Sequence, residues 1–148
     1  MNPIRVVIAD DHDLVRSGLR IFFESHDDLR LVGEAANGLE AIAACQKYHP
    51  DVVLMDLVMP DMNGAIAIRR IHQQQPDLPI ITLTNFQDEN LILSAIQAGA
   101  ISYLLKNVSS DELAQAIRDA YAGVSTLSPA AMEAIAAGPI PPVPPRTL

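Results

Sequence analysis

Residues 51–64 read DVVLMDLVMPDMNG. Four apolar residues, Val52 to Met55, run straight into Asp56, and a loop of Pro, Asp, Asn and Gly follows. An apolar run this short, bounded by turn-forming residues, has the length of a strand buried on both faces. The carboxylate at its end has two readings. Either the strand has simply reached the surface, or Asp56 is a nucleophile held at a rim. The flanking segments decide between them.

Upstream, IRVVIA (residues 4–9) forms a first strand that ends at Asp10 and Asp11. LVRSGLRIFF (14–23) then places Leu14, Val15, Gly18, Leu19, Phe22 and Phe23 on one helical face. LRLVGEA (29–35) is a second strand, and its mixed polarity puts it at a sheet edge. Asn37 stands three residues before Glu40, the spacing of a capping box, so a helix starts at about Gly38. It ends at His49, because the residue before a proline is pushed toward extended backbone.

Downstream, GAIAIRRIHQQQ (64–75) reads as a helix with Ile68 and Ile71 inward, stopped by Pro76. LPIITLT (78–84) is a fourth strand. ENLILSAIQAG (89–99) is a helix with Leu91, Ile92, Ala95 and Ile96 on one face, closed by Gly99. ISYLLK (101–106) is a fifth strand. Ser109 and Glu112 make a second capping box for the helix in DELAQAIRDAYAG (111–123).

The strand–helix unit therefore occurs five times. Such alternation implies a parallel sheet covered by helices on both faces. Right-handed crossovers leave few ways to wind it. The expected fold is α/β, a flavodoxin-like doubly wound sheet with strand order 2-1-3-4-5. Residues 1–124 form this domain. Residues 125–138 hold one short helix, with a Ser cap, Pro at its first position and Gly past its end. Residues 139–148, PIPPVPPRTL, read as a polyproline spacer that leads to a further domain.

With a net charge of −8 over 148 residues and no basic stripe, the chain is a poor direct binder of nucleic acid. Its single cysteine, Cys45, excludes an intrachain disulfide and argues against a thiolate metal site. Cys45 reads as a small, half-buried hydrophobe. No run approaches the ~18 apolar residues of a membrane span, and the N-terminus has no signal-peptide pattern. A soluble, cytoplasmic protein is expected. His12, His26, His49 and His72 show no metal-ligand spacing and read as solvated or capping residues.

Polar residues collect at the C-terminal ends of the strands: Asp10 and Asp11 after the first, Asp56 after the third, Thr84 on the fourth, Lys106 on the fifth. Ligands of open α/β sheets bind at those ends, where the strand order reverses. Here that point falls between strands one and three. Clustered carboxylates need a proton or a cation, and oxygen donors in an open, wet site suit Mg²⁺. An ammonium from Lys106 and a hydroxyl from Thr84 would complete a phosphoryl site. In it a carboxylate can accept a phosphoryl group as an acyl phosphate. Singly, each residue has a plainer explanation as a helix-start acid, a turn residue or a solvated lysine. Their shared rim is what favours chemistry.

VIADDHDLVRSGL, VVLMDLVMPDMNG, IITLT and GAISYLLK resemble the receiver domain of two-component response regulators, over roughly residues 4–123. The first of these and VGEAANGLEAI resemble the NarL/FixJ (LuxR-type) group. The resemblance implies that Asp56 accepts a phosphoryl group from a sensor histidine kinase. It implies that Asp10 and Asp11 form the acidic pair, with Asp11 the more direct Mg²⁺ ligand and the Val58 carbonyl completing the set. Thr84 and Lys106 would bind phosphate oxygens, and Tyr103 stands at an aromatic switch position, turning inward on phosphorylation.

The resemblance further implies a non-turnover phosphoacceptor that forms a homodimer on phosphorylation. DNA would be reached only through a helix-turn-helix domain beyond these residues. Asn107 departs from the proline that follows the lysine in many receivers. Val58 and Phe86, flanking the acyl phosphate, would slow its hydrolysis.

Three other readings compete. A phosphatase of the haloacid dehalogenase type would need a second Asp where Val58 stands. A degenerate receiver would act as an interaction module without phosphorylation, yet all five rim residues are present. A flavin or nucleotide binder would need a glycine-rich loop, which DDHDLVR (10–16) lacks.

Overall fold

Along the first strand, successive side chains enter opposite layers: Val6 and Ile8 one, Val7 and Ala9 the other. This period-two burial recurs in every central strand and gives the computed structural model, which describes residues 2–85 and 88–137, its two cores. The strands are β1 (Ile4–Ala9), β2 (Leu29–Ala35), β3 (Val52–Met55), β4 (Ile80–Thr84) and β5 (Ser102–Leu105). The helices are α1 (Asp13–Glu24), α2 (Gly38–Tyr48), α3 (Gly64–Gln74), α4 (Glu89–Ala98), α5 (Ser110–Tyr121) and α6 (Pro129–Ala137). All strand pairs are parallel, in the order β2-β1-β3-β4-β5. The α/β, flavodoxin-like architecture expected from the alternation is the one observed.

One core joins β1, β3, β4 and β5 to Ala41, Cys45, Ile68, Ile71, Ile92 and Ala95 of α2, α3 and α4. The other joins the opposite faces of the same strands to Phe22, Phe23, Leu113 and Ile117 of α1 and α5. Cys45 is fully buried rather than half-buried, and burial pushes its thiol pKa up to about 12.

Two local expectations are corrected. The capping box of α2 is not reciprocal: Asn37 accepts the Glu40 N–H at 2.8 Å, but the Glu40 carboxylate accepts the Ala36 N–H, one residue farther back. His49 leaves the helix in the left-handed region (φ 45°) rather than extended. The reason lies 43 residues away in the sequence, where the Arg5 guanidinium donates to the Tyr48 carbonyl at 2.8 Å and the His49 carbonyl at 2.9 Å. The left-handed turn presents both carbonyls to one cation, satisfying the orphan acceptors of the helix end.

Residues 126–128, with no strand pattern of their own, run beside β5 through a parallel bridge between Tyr103 and Leu127. The proline-rich stretch 139–148 and Phe86 lie outside the described residues.

Candidate functional site

The sheet's own hydrogen bonds carry the polar residues to one rim. The Asp10 N–H donates to Ala35 O (3.0 Å), the Asp56 N–H to Ala9 O (2.9 Å) and the Lys106 N–H to Thr84 O (2.8 Å). Each of these residues thus stands just beyond the last residue of its strand, β1, β3 and β5 respectively. Asp10 and Asp56 are buried, at 3% and 4% exposure. Lys106 Nζ spans them, 2.5 Å from Asp10 Oδ2 and 3.2 Å from Asp56 Oδ2.

Buried carboxylates side by side are costly unless a cation compensates them. Burial raises the Asp56 pKa above the usual carboxylate range; Lys106 opposes this and the Asp10 charge adds to it. For Lys106, burial acts to lower the pKa. The hydrogen bond to Asp10 and the charges of Asp56 and Asp10 outweigh it, so the ammonium is held above its ordinary value. Lys106 is therefore a fixed cation between the two acids.

The loop after β1 adds further contacts. The His12 N–H donates to Asp10 Oδ1 at 2.9 Å, and His12 Nδ1 lies 3.1 Å from Asp10 Oδ1 and 3.1 Å from Asp11 Oδ1. Asp11 Oδ1 is buried and, among the described residues, receives no hydrogen bond of good geometry; its near polar neighbour is His12 Nδ1. Asp10, Asp11, His12 and Asp56 each place one candidate ligand atom within 4.8 Å of the others. His12 has no metal-ligand spacing with another histidine; what the sequence offers for it is its place directly after the acidic pair, which it could tune.

The other side of the rim is the loop after β3. Val58 pairs with Asn63 in an isolated antiparallel bridge, and its N–H points at Asp56 Oδ1 over a long 3.4 Å. Gly64 closes this loop, its N–H donating to Leu57 O at 2.9 Å. A Cβ there would lie 2.5 Å from Leu57 Cα and 2.6 Å from the Asp56 carbonyl oxygen. Only glycine lets the α3 start pass this close behind Asp56.

Thr84 is fully buried at the end of β4, on the same rim. Tyr103 lies lower, within β5, and is fully buried. It already faces the core, whereas inward rotation was expected to follow phosphorylation. Burial, then the charges of Asp88 and Asp56, push its phenol up to about 12.

A parallel sheet of this order, with two buried acids and a lysine converging at its switch point, defines a receiver-type domain. The chain belongs to the response regulator receiver family: the model of the response regulator receiver domain matches residues 6–118. It is 48% identical over 129 residues to the uncharacterized transcriptional regulatory protein YhcZ of Bacillus subtilis, covering 87% of this chain and 60% of that protein. To the transcriptional regulatory protein LiaR of the same species it is 45% identical over 120 residues, covering 81% and 57%.

Among solved structures, a LuxR-family two-component response regulator from Aurantimonas sp. SI85-9A1 superposes with a TM-score of 0.84 at 35% identity, covering 92% of this chain and 97% of that one. The chain thus spans about 60% of the length of the curated relatives it matches. It is a receiver of two-component systems, homologous to LuxR-type regulators, and a signalling domain rather than a classical enzyme. Among the described residues no helix is long and apolar enough to cross a membrane.

Proposed function

We propose that Asp56 is the phosphoacceptor of this receiver, charged by a sensor histidine kinase. The observation that carries this reading is the buried Asp56 carboxylate held 3.2 Å from a lysine that also neutralises Asp10. A strand end that merely reached the surface would be exposed and have no such partner.

The donor set fits a hard divalent cation. The carboxylates of Asp10, Asp11 and Asp56 converge beside the Lys106 ammonium, the donors are oxygens, and among the described residues no well-formed hydrogen bond satisfies the buried Asp11 Oδ1. Asp10, Asp11, Asp56 and the Val58 carbonyl would hold Mg²⁺. When bound, the ion supplies charge neutralisation for the phosphoryl oxygens.

An Asp56 carboxylate oxygen attacks the phosphorus of the kinase's phosphohistidine. The new P–O bond forms as the P–N bond breaks, and the electron pair leaves on the imidazole nitrogen. Lys106, fixed between Asp10 and Asp56, offsets charge on the arriving phosphoryl oxygens, and the Thr84 hydroxyl donates to one of them. The product is a mixed anhydride with roughly two added negative charges. Val58, half-exposed beside the site, shields it from water and slows its hydrolysis. Residues past α6 lead to a helix-turn-helix domain that carries DNA binding, and phosphorylation drives homodimerisation.

The test is incubation of the full chain with Mg²⁺ and acetyl phosphate, followed by intact mass. Wild type gains one phosphoryl group and Asp56→Ala gains none. Uptake that persists in Asp56→Ala overturns the assignment. No uptake by wild type favours an interaction module that works without phosphorylation.

A further inference from the structure

After α5 the chain turns at Gly123 (φ 86°) and comes back along the outer edge of the sheet. The Tyr103 N–H donates to Thr126 O at 3.0 Å, and the Ser128 N–H donates to Tyr103 O at 2.9 Å. The Thr126 N–H donates to Ser102 Oγ at 2.9 Å. Both outward main-chain groups of Tyr103 are therefore taken by residues 126–128. Ser128 then caps α6, its Oγ accepting the Ala131 N–H at 3.1 Å. α6 lays Ala131 and Ala134 into the layer that holds Tyr103, Ile92 and Ala95, with α4 its principal neighbour.

This seat is shallow. Its fully buried side chains on α6 are alanines, while Met132 and Ile135 remain exposed. Glu89 of α4 and Glu133 of α6 line the same groove, two like charges across the contact. The segment is tied by three main-chain hydrogen bonds, the buried methyl groups of Ala131 and Ala134, and the partly buried Leu127 and Ala130, a seat that a modest change beneath it can displace. That change has a short route. Lys106 directly follows β5, Thr84 pairs with Leu105, and Thr82 pairs with Tyr103.

We propose that residues 126–137 are an intramolecular latch over the β5 edge and the α4 face, closed in the resting chain and opened when Asp56 is charged. The inference rests on the reading of Asp56 as phosphoacceptor. Closed, the latch holds the Tyr103 main chain and denies α4 and β5 to any partner. Opened, it frees that face and releases the chain that leads onward from Ala137. By linkage, whatever favours the open state also favours the charged one.

Hydrogen exchange on the full chain tests this, with beryllofluoride and Mg²⁺ as the phosphoryl mimic and ¹⁹F NMR reporting its binding. At saturation, exchange of the Tyr103 and Ser128 amides should rise by about tenfold or more, while the Val53 and Ile101 amides in the sheet interior stay protected. In Ala131→Glu the same two amides should exchange fast without any mimic. That variant should also bind beryllofluoride several-fold more tightly, because its latch is already open. Bound mimic with unchanged exchange at Tyr103 and Ser128 overturns the latch, as does Ala131→Glu with open amides but wild-type affinity. If neither protein shows a bound ¹⁹F signal, the phosphoacceptor reading itself fails, and the latch falls with it.

Discussion

Gly64 and Asp56 face each other across one turn of chain, and both are exacting positions. At Gly64 the obstacles to a Cβ are backbone atoms of Asp56 and Leu57, which cannot rotate aside as a side chain would. Gly64→Ala should destabilise the fold by about 1–3 kcal/mol, the usual range for overpacking, read as the urea midpoint. It should also slow phosphoryl uptake, because the strain falls on the peptide that carries the nucleophile.

Asp56 makes a different kind of prediction. Its pKa is raised in the folded chain, by burial first, so between the unfolded and folded values the native state binds more protons. Stability therefore falls as pH rises through the folded value. Without divalent cation, Asp56→Asn should melt above wild type at pH 7. The gap should close as pH drops toward the ordinary carboxyl value of about 3.9. At this chain length each 1 kcal/mol moves Tm by about 4 °C, and equal melting points at pH 7 would contradict the claim.

Among the elements, α5 is where local sequence and structure agree most closely. The Ser109 hydroxyl accepts the Glu112 N–H at 3.1 Å, and the Glu112 carboxylate accepts the Ser109 N–H at 3.2 Å. Ser109→Ala should cost about 1 kcal/mol of stability in chemical denaturation, with the site chemistry untouched. α2 shows the opposite case. Its N-terminal N–H groups at Gly38 and Leu39 are bound by Asp61, at 2.8 and 2.9 Å, and its C-terminal carbonyls by Arg5. Periodicity and cap spacing could place where α2 begins and ends, because those signals are written within a few residues. They could not name Asp61 or Arg5, because nothing local marks a partner that arrives from another loop or strand.

For the whole molecule, the same distinction explains what could be read in advance. Parallel pairing and strand order followed from alternation and crossover handedness. Once the order was fixed, Asp10, Asp56 and Lys106 had to meet on one rim, since Asp10 and Asp56 follow the adjacent strands β1 and β3 and the long Lys106 side chain reaches back from the end of β5. The orientation of His12 toward the acids and the return of residues 126–128 to β5 depend on side-chain packing and a turn at Gly123, and VSTLS (124–128) carries no alternating apolar pattern. Association is the property to test at this scale. With Mg²⁺ and beryllofluoride, light scattering should show twice the 16.0 kDa of one chain, and Asp56→Ala should remain at the single-chain mass. A wild-type mass that stays single at saturation would remove dimerisation from the proposed function.

The strip of chain lying along Tyr103 also bears on handling the protein. An α/β sheet has two margins, and this one is dressed on the β5 side by three residues that come late in the sequence. A version shortened before Thr126 would bare the outward N–H and C=O of Tyr103, a template onto which another molecule's strand can add. Such fragments should precipitate or form fibrils where the intact chain does not, so a trimmed version for crystallisation belongs beyond Ala137.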